Sequence, residues 1–141
     1  MLCFSEIFPI HIPPYILTLE SQFSHFSSIN VDISIKGSGH TPPSYLKVYD
    51  RMKKYFDTIY DSANDLYYNI AFSHLQLAKI HPFLDGNGRL ARIVLYYQLK
   101  KNGLKPIIIS VDNKEAYFNL LEEFKVNKNI EPFIDFIKSA Q

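Results

Sequence analysis

The residues able to do chemistry crowd into twelve positions, His81-Pro82-Phe83-Leu84-Asp85-Gly86-Asn87-Gly88-Arg89-Leu90-Ala91-Arg92. His81 titrates near neutral pH and can take a proton from a hydroxyl, as a general base must. Asp85 offers the hard carboxylate oxygen that Mg²⁺ accepts when phosphates supply most of its other ligands. Gly86 and Gly88 flank Asn87 without side chains, so an anion can approach the main chain closely. If a helix begins here, its first N–H groups lack intrahelical acceptors and its dipole favours negative charge. Arg89 and Arg92, three residues apart, share one face of that helix, and guanidinium forks match phosphate oxygens. A base, a metal ligand, an anion-binding main chain and two arginines together point to chemistry on a polyphosphate.

Singly, each residue has a plainer reading. A histidine before proline is usually a satisfied structural group, Gly-Asn-Gly is usually a turn, and arginines at i and i+3 usually solvate a helix face. Their joint order favours the chemical reading. An EF-hand starting at Asp85 fails, because Arg89, Leu90 and Tyr96 stand where an oxygen ligand, glycine and glutamate are required. There is no GxxxxGK[ST] loop, and no parallel βαβ pattern surrounds the glycines to make a dinucleotide site.

The motif needs a helix–loop–helix to position it. Asn64 or Asp65 can cap a helix with Ile70, Leu77 and Ile80 on its apolar face, ending at Ile80 or His81 because Pro82 disfavours helix just before it. The next helix runs through Ile93, Leu95, Tyr96 and Leu99 and stops at Asn102-Gly103. Upstream, Pro14 can open a helix with Ile16, Leu19, Phe23 and Phe26 on one face. Residues 29–41 differ: Ile29, Val31, Ile33 and Ile35 alternate with polar residues and lead into Lys36-Gly37-Ser38-Gly39, which predicts a hairpin. Pro42-Pro43 then open a helix whose predicted stripe is Leu46, Tyr49, Met52, Phe56 and Ile59. After a short extended piece at 105–111, Asp112 and Glu115 form a capping-box pattern for a helix carrying Ala116, Leu120 and Phe124. A last helix covers about 131–138.

The chain has 141 residues, 47% hydrophobic and 21% charged, which suits one globular domain over 1–141. A net charge of +1 excludes a strongly basic nucleic-acid field. Cys3 is the only cysteine, so no intramolecular disulfide forms and a reducing, cytoplasmic setting fits. The apolar start is broken by Pro9, Pro13 and Pro14 and lacks a basic leader, arguing against a signal peptide or membrane span. His74 stands two turns before His81, about 10.5 Å along a helix, too far to share one metal ion and readable as a packed or orienting group.

Residues 81–92 resemble the signature of the Fic (filamentation induced by cAMP) family, HPFx(D/E)GNGRxxR, at every defined position. The resemblance continues more loosely from Ile29 to the C terminus, and residues 1–28 match poorly. It implies an all-α, compact helical bundle, with the motif joining two helices within 63–102 and a short β-hairpin flap at 29–41 beside the active site. It implies a protein adenylyltransferase: His81 deprotonates a Tyr, Thr or Ser hydroxyl of a target protein, which attacks the α-phosphate of ATP, and pyrophosphate leaves. Asp85 would then hold Mg²⁺, Gly86, Asn87 and Gly88 the anion hole, and Arg89 and Arg92 the outer phosphates. Val31, Ile33, Ile35 and Gly37 would belong to the flap that clamps the target by strand addition. Tyr117 and Leu120 fall where the family often builds its adenine pocket, though plain core packing is the favoured reading of both.

Many relatives inhibit themselves through a helix with the pattern [S/T]xxxE[G/N]. No Ser or Thr here has Glu four residues later, and Ser139 stands too near the C terminus to test. Regulation would then come from an antitoxin-like partner as in toxin–antitoxin pairs, from residues outside the chain, or from nothing; a homo-oligomer is compatible with this. Phosphorylating relatives carry lysine in place of Gly88, which argues against that rival. The intact His81 and Asp85 argue against a catalytically silent toxin-like or regulatory binding module.

Overall fold

The computed structural model describes residues 31–59, 61 and 63–141. Five helices form there: α1 (Tyr45–Ile59), α2 (Leu66–Ile80), α3 (Asn87–Lys101), α4 (Lys114–Asn127) and α5 (Glu131–Ser139). The expected all-α architecture is the observed one. The expected helix at Pro14, together with Cys3, His11 and His25, lies outside the described residues.

The bundle is organised around α2, which packs against each of the other four helices. Ile70, Ala71, Ser73, His74, Leu75, Leu77, Ala78 and Ile80 are all buried, so this helix is enclosed on nearly every side rather than along one stripe. Asp65 starts it: its Oδ1 accepts the N–H groups of Tyr67 and Tyr68 at 2.9 and 3.2 Å, satisfying donors that the first turn leaves unpaired. Two apolar clusters flank α2. One joins it to α3, α4 and α5 through residues such as Leu75, Leu95, Leu99, Leu121 and Ile137. The other joins it to α1 and to the motif loop through Met52, Tyr55, Leu77, Ile80, Phe83 and Leu90. The motif is thus clamped at Phe83 and Leu90 into the second cluster.

Three expectations need correction. Residues 31–41 make the turn, with Gly37 at φ 78° and the Ser38 N–H donating to the Ile35 carbonyl at 3.2 Å, but no strand forms among the described residues. An isolated hairpin is marginal in water, and alternation alone does not supply a partner strand. In α1 the buried residues are Met52 and Tyr55, while Leu46 and Tyr49 are 73% and 62% exposed. Tyr55 wins its place by donating its hydroxyl to the buried Ser73 carbonyl at 3.0 Å, a contact no apolar pattern announces.

Helix α4 starts two residues after the predicted cap. Residues 111–113 form turns, Asn113 precedes the helix without a side-chain cap bond, and its Nδ2 donates instead to the Ile108 carbonyl at 3.2 Å. The buried face is Tyr117, Leu121, Phe124 and Lys125; Phe124 is where the pattern put it, while Tyr117 and Leu121 take the places expected for Ala116 and Leu120. A buried tyrosine removes far more apolar area from water than alanine, so the helix settles with that face inward. No described helix is long and apolar enough to cross a membrane.

Candidate active site

His81 caps α2 in a left-handed conformation, φ 56° and ψ 58°. Pro82 excludes the helical conformation at residue 81, and the His81 N–H closes the helix on the Leu77 carbonyl at 3.1 Å. Such a backbone costs about 1–2 kcal/mol for a residue other than glycine, and surrounding packing must impose it. Pro82 and Phe83, both buried, supply that packing. The His81 Nδ1–H donates to the Ala78 carbonyl at 3.3 Å, which leaves the Nε2 lone pair as the basic atom. Burial lowers the imidazole pKa below its ordinary value; the Ala78 bond opposes this, and Lys125 and His40 add to it. The ring is therefore neutral at pH 7 and able to accept a proton.

The loop between His81 and α3 is closed by Asn87. Its Nδ2 donates to the Phe83 carbonyl at 2.7 Å, and its Oδ1 accepts the Phe83 N–H at 3.0 Å. At 2% exposure the amide is consumed by the loop, so Asn87 can serve an anion through its main-chain N–H only. Gly86 takes φ 81°, a conformation that favours glycine, and turns the chain into α3. Its carbonyl accepts the first helical bond, from Leu90 at 2.9 Å. The N–H groups of Asn87, Gly88 and Arg89 precede that bond and lie in the first turn, where intrahelical acceptors are lacking.

Asp85 and Arg89 stand at the mouth, their side chains 91% and 69% exposed, paired at 3.2 Å. Such an exposed pair contributes little stability. Oδ1 of Asp85 also accepts the Gly86 N–H at 2.6 Å. Among the described residues no cluster of three or more His, Cys, Asp or Glu side chains could hold a metal on its own. One exposed carboxylate beside an open helix N-terminus nevertheless suits Mg²⁺, which binds through one or two carboxylates plus substrate phosphates. Arg92 folds back over the first turn of α3: a Cβ built on Gly88 would lie 3.4 Å from its Nη1.

Tyr117 is 1% exposed and Leu120 half-buried, so the phenol ring belongs to the core and does not line an open pocket. A groove of about 500 Å³ runs elsewhere, along α2, between His40, Arg51, Phe72, Lys79 and Lys128; no residue of 81–92 lines it. The reactive groups, not that groove, mark the candidate site, because an anion at a helix end needs no deep cavity. Of the flap residues, Val31 is 52% exposed and Ile33 and Ile35 are half-buried.

Glu122 escaped the sequence reading. It receives the Ser38 hydroxyl at 2.7 Å and the Gly39 N–H at 3.1 Å, and Lys125 Nζ lies 3.4 Å away, tying the turn of residues 36–39 to α4. Burial works to raise its carboxyl pKa, but Ser38, Gly39 and Lys125 outweigh it and hold it low. His40 Nε2 then meets the Lys79 carbonyl at 3.1 Å, two residues before the base. Contacts across more than eighty positions leave no local signal in the chain.

The Fic/DOC family model matches residues 10–99, taking in the whole motif and starting ahead of Ile29. The chain belongs to the Fic/DOC family. Among curated relatives, a protein adenylyltransferase Fic of Nematostella vectensis is 33% identical over 103 residues, covering 71% of this Fic chain and 24% of its own length. Another of the same description from Drosophila persimilis is 30% identical over 102 residues, covering 70% and 20%. The chain spans about a quarter or less of those relatives. Fic-1 from C. elegans superposes with a TM-score of 0.60 at 29% identity, over 71% of this chain and 31% of that one. A Fic domain containing signaling protein from Bacteroides thetaiotaomicron gives 0.59 at 23% identity, covering 83% and 49%, a likeness of fold.

Proposed function

We propose that residues 1–141 act as one Fic domain of a protein adenylyltransferase, moving AMP from ATP onto a Tyr, Thr or Ser hydroxyl of a target protein. The observation that carries this reading is a neutral His81 with Nε2 unoccupied, on a loop that leads directly into the open first turn of α3. The target oxygen forms a bond to the α-phosphorus as the bond from that phosphorus to the bridging oxygen breaks. His81 Nε2 takes the hydroxyl proton, and the electron pair leaves with pyrophosphate. In this reading the main-chain N–H groups of residues 87–89 and the guanidinium of Arg92 would stabilise the negative charge that grows on the phosphates, which lowers the barrier most when such donors are already in place. Asp85 would hold Mg²⁺, which when bound supplies positive charge to the phosphates.

Residues 32–35, outside any helix and ending in a turn anchored by Glu122, support the flap reading, in which their main chain would take up a target segment as an added strand. A cytoplasmic setting, control by an antitoxin-like partner and self-association belong to the same proposal.

The test is incubation with Mg²⁺ and ATP labelled at either the α or the γ position, with His81→Ala alongside. Label retained from the α position only, and lost in His81→Ala while ATP still binds, is the expected result. Retention of γ label points to phosphoryl transfer, and transfer by His81→Ala at the starting rate removes the base assignment.

A further inference from the structure

The groove along α2 takes no part in the transfer, yet its lining has one consistent chemistry. Arg51 of α1, Lys79 of α2 and Lys128 just past α4 all border it, and among the described residues no Asp or Glu does. Among those residues the ion pairs are Asp85–Arg89 and Glu122–Lys125, so none of the three cations has a carboxylate partner. Glu122, whose charge reaches His40 in the same wall, is already engaged by Ser38, Gly39 and Lys125. Lys79 is the fixed member. Its Nζ donates to the Phe124 carbonyl at 3.4 Å and stands 5.3 Å from the centre of the Phe124 ring. The Lys128 N–H donates to the same carbonyl at 3.0 Å, which brings the two lysines to one point of the wall. Lys79 is half-buried there, whereas a lysine that merely solvates a helix carries its charge out into water. Burial lowers its pKa, and the charges of Lys128 and Arg51 lower it further, as like charges held together must.

We propose that this groove binds a small organic phosphate, its anion held between Arg51, Lys79 and Lys128 and its apolar body lying against Phe72, Phe124 and Ile130. Phe72 stacks on Tyr68, which also lines the groove, with centroids 5.8 Å apart and planes at 15°, so that wall is a packed aromatic surface. A dianionic phosphate offsets three cations better than one carboxylate, and a guanidinium fork with two ammonium groups supplies donors for all its oxygens. A volume of about 500 Å³ suits a small ligand, whose sites combine apolar walls with a few convergent polar groups. An acidic peptide fits less well, because the two lysines meet at one carbonyl rather than spacing out along a strip. None of residues 81–92 lines the groove, so the proposal does not depend on the transfer reaction.

Phenyl phosphate tests it, followed through the backbone amide shifts of the ¹⁵N-labelled chain. Saturating shifts at residues 79, 124 and 128 are expected, with a Kd of about 1 mM or below. Inorganic phosphate should bind about tenfold more weakly, because it buries no ring. Lys79→Met and Lys128→Gly should each weaken phenyl phosphate binding about tenfold. Glycine suits the φ of 61° at residue 128, so that variant removes a charge with the fold intact. Shifts confined to residues 86–89 would put the phosphate at the start of α3 alone and overturn the proposal, as would affinity unchanged in both variants. Shifts in the groove with hexaglutamate but not with phenyl phosphate would replace the small ligand by a docking protein.

Discussion

Acid should unfold this protein through His74 sooner than its carboxylates would. Burial holds the imidazole pKa at about 4 against an ordinary 6.5; the Ala91 bond opposes this, and the charges of Arg92 and Lys125 add to it. The depressed value means that the fold favours the neutral ring. The resulting stability is complete above about 6.5 and drains away as pH falls toward 4. By proton linkage, lowering pH from 7 to 5 costs about 2 kcal/mol through this group alone, close to one proton's slope of about 1.4 kcal/mol per pH unit below pH 6. His40 and His81, also lowered by burial, act in the same direction. The comparison must therefore be made against His74→Gln, which retains those two. Urea midpoints measured at pH 7, 6 and 5 should fall steeply for the starting protein and less steeply for His74→Gln, by about 2 kcal/mol over the range. Parallel pH dependences would refute the reasoning, because they would mean that His74 is hydrated or charged at neutral pH.

Asn87→Ala removes both bonds that close the motif loop and leaves the buried Phe83 carbonyl without that donor, so a loss of about 2–3 kcal/mol is expected by thermal melting, with transfer lost alongside. Asp85→Ala should leave the melting temperature nearly unchanged, given 91% exposure, while weakening the Mg²⁺ dependence of nucleotide binding; an unaltered Mg²⁺ titration would remove Asp85 as the ligand.

The chain by itself determined the ends of α2, α3 and α5, because each is punctuated locally. Asp65 offers an acceptor to open N–H groups, Pro82 forbids helix at residue 81, Gly103 follows α3, and Pro132 suits a first turn. The order of the site residues was equally legible, since twelve contiguous positions carry their spacing with them. Other features depended on partners distant in sequence. Alternation at residues 31–35 says which faces differ but not whether another strand is present. Tyr55 and Tyr117 read as amphipathic until Ser73 and His74 give their hydroxyls a buried partner. Glu122 looks like any surface acid of a helix until Ser38 and Gly39 arrive from more than eighty residues away. Only packing α2 inside the bundle strips water from His74 and His81 and lowers both pKa values, because desolvation is a property of the surroundings and not of the residue.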